Sequence, residues 1–267
     1  MLRTLPATDF LTIQKRRKEN SDRYPAILPA YPQQPFFSLL FLPDRKATLT
    51  LRTFEDQDGI QAGNFREFVD SAFDEIVNTG VRDLIIDIRM NNGGPSANAA
   101  YLYSWLTEQS FPFVHSLELT PAGLARLQTN RLQFVKNRIT GNFTTMDTAT
   151  TTVPALFGLG PQTPQKTPYL GKLIVLVDGL TASGGPQFAS LVVRNKRGLV
   201  RGEETSGALA GGSGRMYTAF ALPNTQLEVV ISMVRIHFTP PSSSKPDENV
   251  KPDVELKRDY RAGFKLE

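Results

Sequence analysis

Ser183 stands in the string Thr181-Ala182-Ser183-Gly184-Gly185-Pro186, directly after the apolar run Lys172 to Asp178. A serine at a strand-to-helix turn is placed to act as a nucleophile. The tight turn exposes its Oγ, and the N-terminus of the following helix favours negative charge beside it. Gly184 and Gly185 leave their backbone N–H groups unobstructed. A second turn, Asn92-Gly93-Gly94, follows the apolar run Leu84 to Ile88. An N–H of Gly93 or Gly94, offered from an adjacent strand end, together with that of Gly184 would make an oxyanion hole. Glycine turns after strands also fit a phosphate cradle, or simple tight turns without chemistry. The Lys-Ser/Thr ending of a phosphate-binding loop is absent from both.

These turns need strands to carry them. Phe36 to Leu42 and Ala47 to Phe54 read as two strands joined by a turn at Pro43-Asp44-Arg45. The spacing of Phe65, Phe68, Val69, Ala72, Phe73 and Ile76 predicts an amphipathic helix over Asn64 to Thr79, with Asn64 as N-cap and Gly80 as stop. Leu84 to Ile88 then reads as a buried parallel strand, and Ala97 to Leu106 as the helix after the first turn. Residues 120 to 168 form a polar, Thr-rich excursion with one weak helix over Ala122 to Val135. The pattern then repeats: strand Lys172 to Asp178, the Ser183 turn, helix Gln187 to Arg194 and a third strand from Gly198 to Gly202. Gly207 to Gly214 is expected to be a loop, and residues 216 to 238 a hairpin turning at Pro223-Asn224-Thr225. Alternating strands and helices argue for an α/β domain with a largely parallel sheet, which binds ligands beyond its strand C-termini. Both glycine turns fall there.

Composition narrows the chemistry. Of the 267 residues, 40% are hydrophobic and 21% charged, which supports a packed core. Lys and Arg total 30 against 26 Asp and Glu, a balance too mild for an obligate nucleic-acid binder. The run Lys15-Arg16-Arg17-Lys18 lacks an aromatic-rich basic face and reads as a solvated turn. The absence of cysteine rules out a disulfide scaffold, a cysteine nucleophile and a thiolate metal site. With only 2 histidines, a multi-histidine metal site is also disfavoured, and neither metal nor organic cofactor is expected. No apolar run approaches the roughly 18 residues of a membrane helix, so no membrane insertion is expected. Residues 1 to 35, with Pro25, Pro29, Pro32 and Pro35, read as an arm or the remnant of an upstream domain, and residues 36 to 267 as the α/β domain.

The string Leu84-Ile85-Ile86-Asp87-Ile88-Arg89-Met90-Asn91-Asn92-Gly93-Gly94 resembles a block of the C-terminal processing (tail-specific) serine peptidases, whose relatives include tricorn protease. A second stretch, Val177 to Gly207, is similar to that family's nucleophile turn and its following strand and loop, here Arg197 through Gly202-Glu203-Glu204-Thr205-Ser206-Gly207. Leu222-Pro223-Asn224-Thr225 and Val250-Lys251-Pro252-Asp253 resemble two later blocks in the same order. The resemblance implies a ClpP/crotonase-like α/β fold, a polypeptide substrate and export to the periplasm or exterior, although no signal peptide is visible.

It also implies a choice of mechanism. In the Ser-Lys branch the nucleophile position corresponds to Gly185, Pro186 replaces the turn Glu, and Ser206 to Arg215 holds no lysine. The tricorn-like Ser-His-Glu branch places its nucleophile two residues earlier, at Ser183. The resemblance then assigns Gly184 and Gly93 or Gly94 to the oxyanion hole. It assigns Glu248, with Asp247 next, to orienting the base. That branch carries its histidine in an upstream helical domain. His115 and His237 read instead as sheet histidines, so the chain is expected to hold the nucleophile without its base. Asp87 and Arg89 are expected to pair locally, Tyr103 and Trp105 to pack, and Glu203 and Glu204 to position a loop. The expected function is peptide-bond hydrolysis through an acyl-enzyme at Ser183, with substrate held by strand addition at the edge of the hairpin region. The alternatives are a non-catalytic peptide- or ligand-binding module on the same fold, and a crotonase-type acyl-thioester enzyme, which the nucleophile-turn block disfavours.

Overall fold

The computed structural model describes residues 35–56, 64–127, 133–145, 157–214, 216–225, 227–239 and 248–256. The expected arm (all but Pro35), the basic run and Asp247 lie outside them. Strands β1 (Phe37–Leu42) and β2 (Lys46–Leu51) form an antiparallel pair. Helix α1 (Phe65–Asn78) follows, capped by the Asn64 side chain, which accepts from the N–H groups of Arg66 and Glu67. Its buried face is Phe65, Val69, Ala72, Phe73 and Ile76, the stripe that its spacing predicts. Then come β3 (Asp83–Asp87) and α2 (Ser96–Ser104). After an excursion the chain returns through β9 (Lys172–Val177), α4 (Gly184–Arg194) and β10 (Leu199–Gly202).

The main sheet has the order β1-β2-β3-β9-β10-β15, where β15 is Val254–Glu255. All pairings after β1–β2 are parallel. The ClpP/crotonase-like α/β reading with a largely parallel sheet therefore holds. Leu49, Leu84, Ile86, Val175, Val177 and Val200 of its inner strands are buried. β3 and β9 are short apolar runs bounded by turns, which is why these were legible.

The excursion departs from expectation. Helix α3 spans only Pro121–Leu127, and Phe134 and Val135 belong to strand β6 (Phe134–Lys136) rather than to a longer helix. It joins β5 (Val114–Leu119), β7 (Phe143–Thr145), β11 (Gly211–Ser213) and β14 (Val234–Phe238) in an antiparallel sheet of order β11-β14-β5-β7-β6. Gly207 to Gly214 is thus partly strand. The hairpin at 223–225 pairs β12 (Tyr217–Ala221) with β13 (Glu228–Ser232), while β14 leaves it for this second sheet. The short pair β4 (Phe111–Pro112) and β8 (Pro161–Gln162) closes the excursion. Several of these strands are only 3 residues long, and β11 meets β14 some twenty residues downstream, so no local period marks them.

Gly202 ends β10 at φ +133, and a Cβ there would lie 1.8 Å from the carbonyl oxygen of Val177. Both the backbone and the contact demand glycine. Gly202→Ala is expected to destabilise the domain by more than about 3 kcal/mol in urea denaturation. A loss under about 1 kcal/mol would show that the β9–β10 ends separate readily.

Candidate active site

The register of β3 on β9 sets Asp87 opposite Leu176, and Ile88 N–H donates to the Leu176 carbonyl. Two neighbouring parallel strands therefore end together, and the turns after them leave the same edge of the sheet. The Ala182 N–H donates to the Asn91 carbonyl at 2.8 Å, joining the turns directly.

Buried polar side chains hold both turns. Asn91 is fully buried; its Nδ2 donates to the Leu51 carbonyl at 2.9 Å, and its Oδ1 accepts the Gly93 N–H at 2.8 Å. Asp178 Oδ1 accepts from the N–H groups of Met90 and Leu180 and from Thr181 Oγ1. Thr181 Oγ1 also lies 3.0 Å from the Ile88 carbonyl. Asn91 and Asp178 each accept an N–H two residues on, the Asx-turn geometry. That pattern, a buried Asx followed by glycine within two residues, was the sequence signal for both, and neither was singled out.

Asp87 secures the base of the first turn. Its carboxylate contacts Arg52 at 3.0 Å and Arg89 at 2.7 Å, and only 5% of its side chain is exposed. Burial pushes its pKa up. The hydrogen bonds and charges of Arg89 and Arg52 outweigh that and bring it down to about 2. The expected local pairing of Asp87 and Arg89 is therefore present. Glu203 and Glu204 hold loops, accepting from Gly179 N–H at 3.4 Å and Asn249 Nδ2 at 3.1 Å respectively. Tyr103 and Trp105 are buried and pack against Phe111 and Phe73.

Ser183 adopts φ 52° and ψ −111° at the N-cap of α4, a conformation costly for a residue with a Cβ. Its Oγ has no hydrogen-bond partner among the described residues. Gly93 lies directly against it: a Cβ on Gly93 would sit 2.3 Å from Ser183 Cβ and 2.8 Å from its Oγ. A Cβ on Gly184 would lie 3.4 Å from Gly94 N. Ser183, Gly93, Gly94 and Gly184 are thus one cluster. The Gly93 N–H is taken up by Asn91 Oδ1, whereas the Gly94 and Gly184 N–H groups make no hydrogen bond among the described residues.

Glu248 sits one segment further out. Its carbonyl accepts the Leu209 N–H at 2.7 Å, and Asn249 bridges Ala208. Gly207, just before, approaches Pro186 and the Ser183 nitrogen. The Glu248 carboxylate accepts from Lys251 Nζ at 3.1 Å. His237 and His115 lie in β14 and β5, as sheet histidines, and His237 faces Glu118. No cluster of three or more metal-ligating side chains occurs among the described residues, and no helix there is long and apolar enough to cross a membrane.

Two outcomes follow. Asp87 has its folded pKa below the ordinary 3.8, so its stabilisation is complete above that value and is lost as pH falls toward about 2. Asp87→Asn should cost roughly 2 kcal/mol at neutral pH and flatten the stability profile between about pH 4 and 2. An unchanged acid slope would contradict the pairing. Gly93→Ala should leave a folded protein with displaced Ser183, seen as loss of reaction with a serine-directed probe; unimpaired reaction would show that the contact is not restrictive.

The model of peptidase family S41 matches residues 45–256. No curated protein matches the chain. Among solved structures, a candidate peptidase from Parabacteroides merdae ATCC 43184 superposes with TM-score 0.52 at 19% identity, over 90% of this chain and 62% of that one. Mature CPAF gives TM-score 0.52 at 16% identity, over 82% of this chain and 49% of its own. The photosystem II D1 C-terminal processing protease gives 0.49 at 19% identity, over 85% and 49%. The chain spans between about half and three-fifths of the length of these structures. At such identities the likeness to the Parabacteroides merdae protein and to CPAF concerns the fold. The family match covers most of the chain and both glycine turns, and the chain belongs to peptidase family S41.

Proposed function

We propose that this chain carries the nucleophile and oxyanion hole of a serine peptidase acting on polypeptides. The observation that carries the reading is the backbone of Ser183, held at positive φ on the strand-to-helix turn with Gly93 packed against it. Strain of this kind is retained where a site needs one side chain aimed at a fixed point. Ser183 Oγ attacks the scissile carbonyl, forms an acyl-enzyme and expels the amine; water then releases the acyl group. The developing oxyanion is met by the N–H groups of Gly94 and Gly184, with the positive end of α4 behind the second. Gly93 serves as the close contact that shapes the pocket. Glu248 orients the base, after exchanging its Lys251 partner.

A serine hydroxyl needs a base, and neither histidine hydrogen-bonds Ser183 in the described residues. The base is to be sought outside them. That no described residue hydrogen-bonds Ser183 Oγ is also what favours the second reading, a non-catalytic binding module on the same fold. One experiment separates the two. The folded chain is incubated with a fluorophosphonate probe, with and without added imidazole, and adducts are located by mass spectrometry. The expected result is a single adduct at Ser183, lost in Ser183→Ala, forming faster as imidazole supplies the missing base. No adduct on folded protein even with imidazole, or an adduct elsewhere, would overturn the peptidase reading.

A further inference from the structure

The main sheet has two faces, and among the described residues only one of them is covered. Register places Leu49, Ile86, Val175 and Val200 side by side across β2, β3, β9 and β10, all buried in the core shared with α1, α2 and α4. Successive side chains of a strand point to opposite faces, so the residues one step back lie on the other side. They form a second row, Leu40-Thr48-Ile85-Ile174-Leu199, in register from β1 to β10. None of its four apolar members belongs to the core or packs against it. Leu40 is 59% exposed and Leu199 39%, and Ile85 and Ile174 between them are only partly buried. On the same face Arg201 stands between Leu176 and Val254, and its Nε is buried with no hydrogen-bond partner among the described residues. Parallel sheets are found with both faces covered, so a bare apolar row on one of them marks a missing cover. The apolar edge strand β1 lacks the charges that guard exposed edges, which points the same way.

Connectivity selects the occupant. Residues 1–34 enter the sheet through β1, the strand that carries Leu40. Their first part holds Leu2, Leu5, Phe10, Leu11 and Ile13, and Asp9 is the one acid among residues 1–18. A cover built from this stretch brings both apolar side chains for the row and an acceptor for Arg201. The row is about 19 Å long, four strand spacings of about 4.8 Å each. Residues 14–34, between this stretch and the sheet, are long enough to reach any point of it. A tethered segment is present at a local concentration on the order of millimolar, well above that of a second copy in dilute solution. We propose that residues 2–13 of this chain dock on the open face of the main sheet, seating their apolar side chains on the row from Leu40 to Leu199. This cover is independent of the chemistry at Ser183.

The absence of cysteine makes a thiol a clean reporter. Ile174→Cys places one in the middle of the row in the full chain, and Thr48→Cys is a second reporter should the first perturb β9. Each is reacted with a maleimide at micromolar protein, in the otherwise unaltered chain and in one that also carries Leu5→Ser, Phe10→Ser and Leu11→Ser. Those three positions lie outside the described domain, so its core is untouched. Labelling is expected to be at least about tenfold faster in the triply substituted chain, since fully burying even one such side chain stabilises by about that factor. In the Leu11→Cys/Ile174→Cys double variant, a short bis-maleimide is expected to join the two positions within one chain, seen by mass spectrometry as linked peptides from a monomer. Equal labelling rates with and without the serine substitutions would overturn the proposal. Protection that grows with protein concentration and yields linked dimers would overturn it too, and would assign the face to a second copy.

Discussion

The parallel pairing of β3 with β9 is the constraint on which the rest depends. Its register brings Asp87 beside Leu176 and ends both strands at one level. Two turns some ninety residues apart in sequence are thereby set against each other, with Gly93 on Ser183 and Gly94 beside Gly184. A one-residue slip of either strand would reverse which side chains face the core and separate the turns. The alternation of buried and half-buried residues along the two strands, and the helices α2 and α4 that pack on each other, fix that register against slippage.

The turns themselves are secured by polar groups that water does not reach. Asn91, Asp178 and Thr181 are all buried, and each satisfies backbone groups that the turns would otherwise leave unpaired. Among the described residues the arrangement leaves the Gly94 and Gly184 N–H groups without acceptors, and the proposed function places a carbonyl oxygen there. A pre-aimed pair of donors needs no reorganisation when charge develops, which is the physical basis of oxyanion stabilisation. Asp87, neutralised by Arg52 and Arg89, anchors the first turn from below.

The main sheet was legible because its strands are continuous apolar runs and its helix α1 carries a regular stripe. Ser183, Gly93, Gly94 and Gly184 were singled out from strand-glycine-helix spacing, and the structure brings them together. Which glycine keeps a free N–H was not legible, because it depends on the side chain of Asn91. The second sheet was not legible either. Its strands are short, its solvent face is polar, and β5 and β14 meet only through pairing across more than a hundred residues, so no local period announces them. Reading Gly207 to Gly214 as a loop missed β11 for the same reason, since glycine carries no hydrophobic signal.

The most direct test of the central claim is a crystal structure of the fluorophosphonate adduct formed in the presence of imidazole. The account predicts the phosphonyl oxygen within about 2.7–3.1 Å of both the Gly94 and Gly184 nitrogens, with the phosphorus bonded to Ser183 Oγ. A phosphonyl oxygen turned into solvent, with those two N–H groups unengaged, would contradict it.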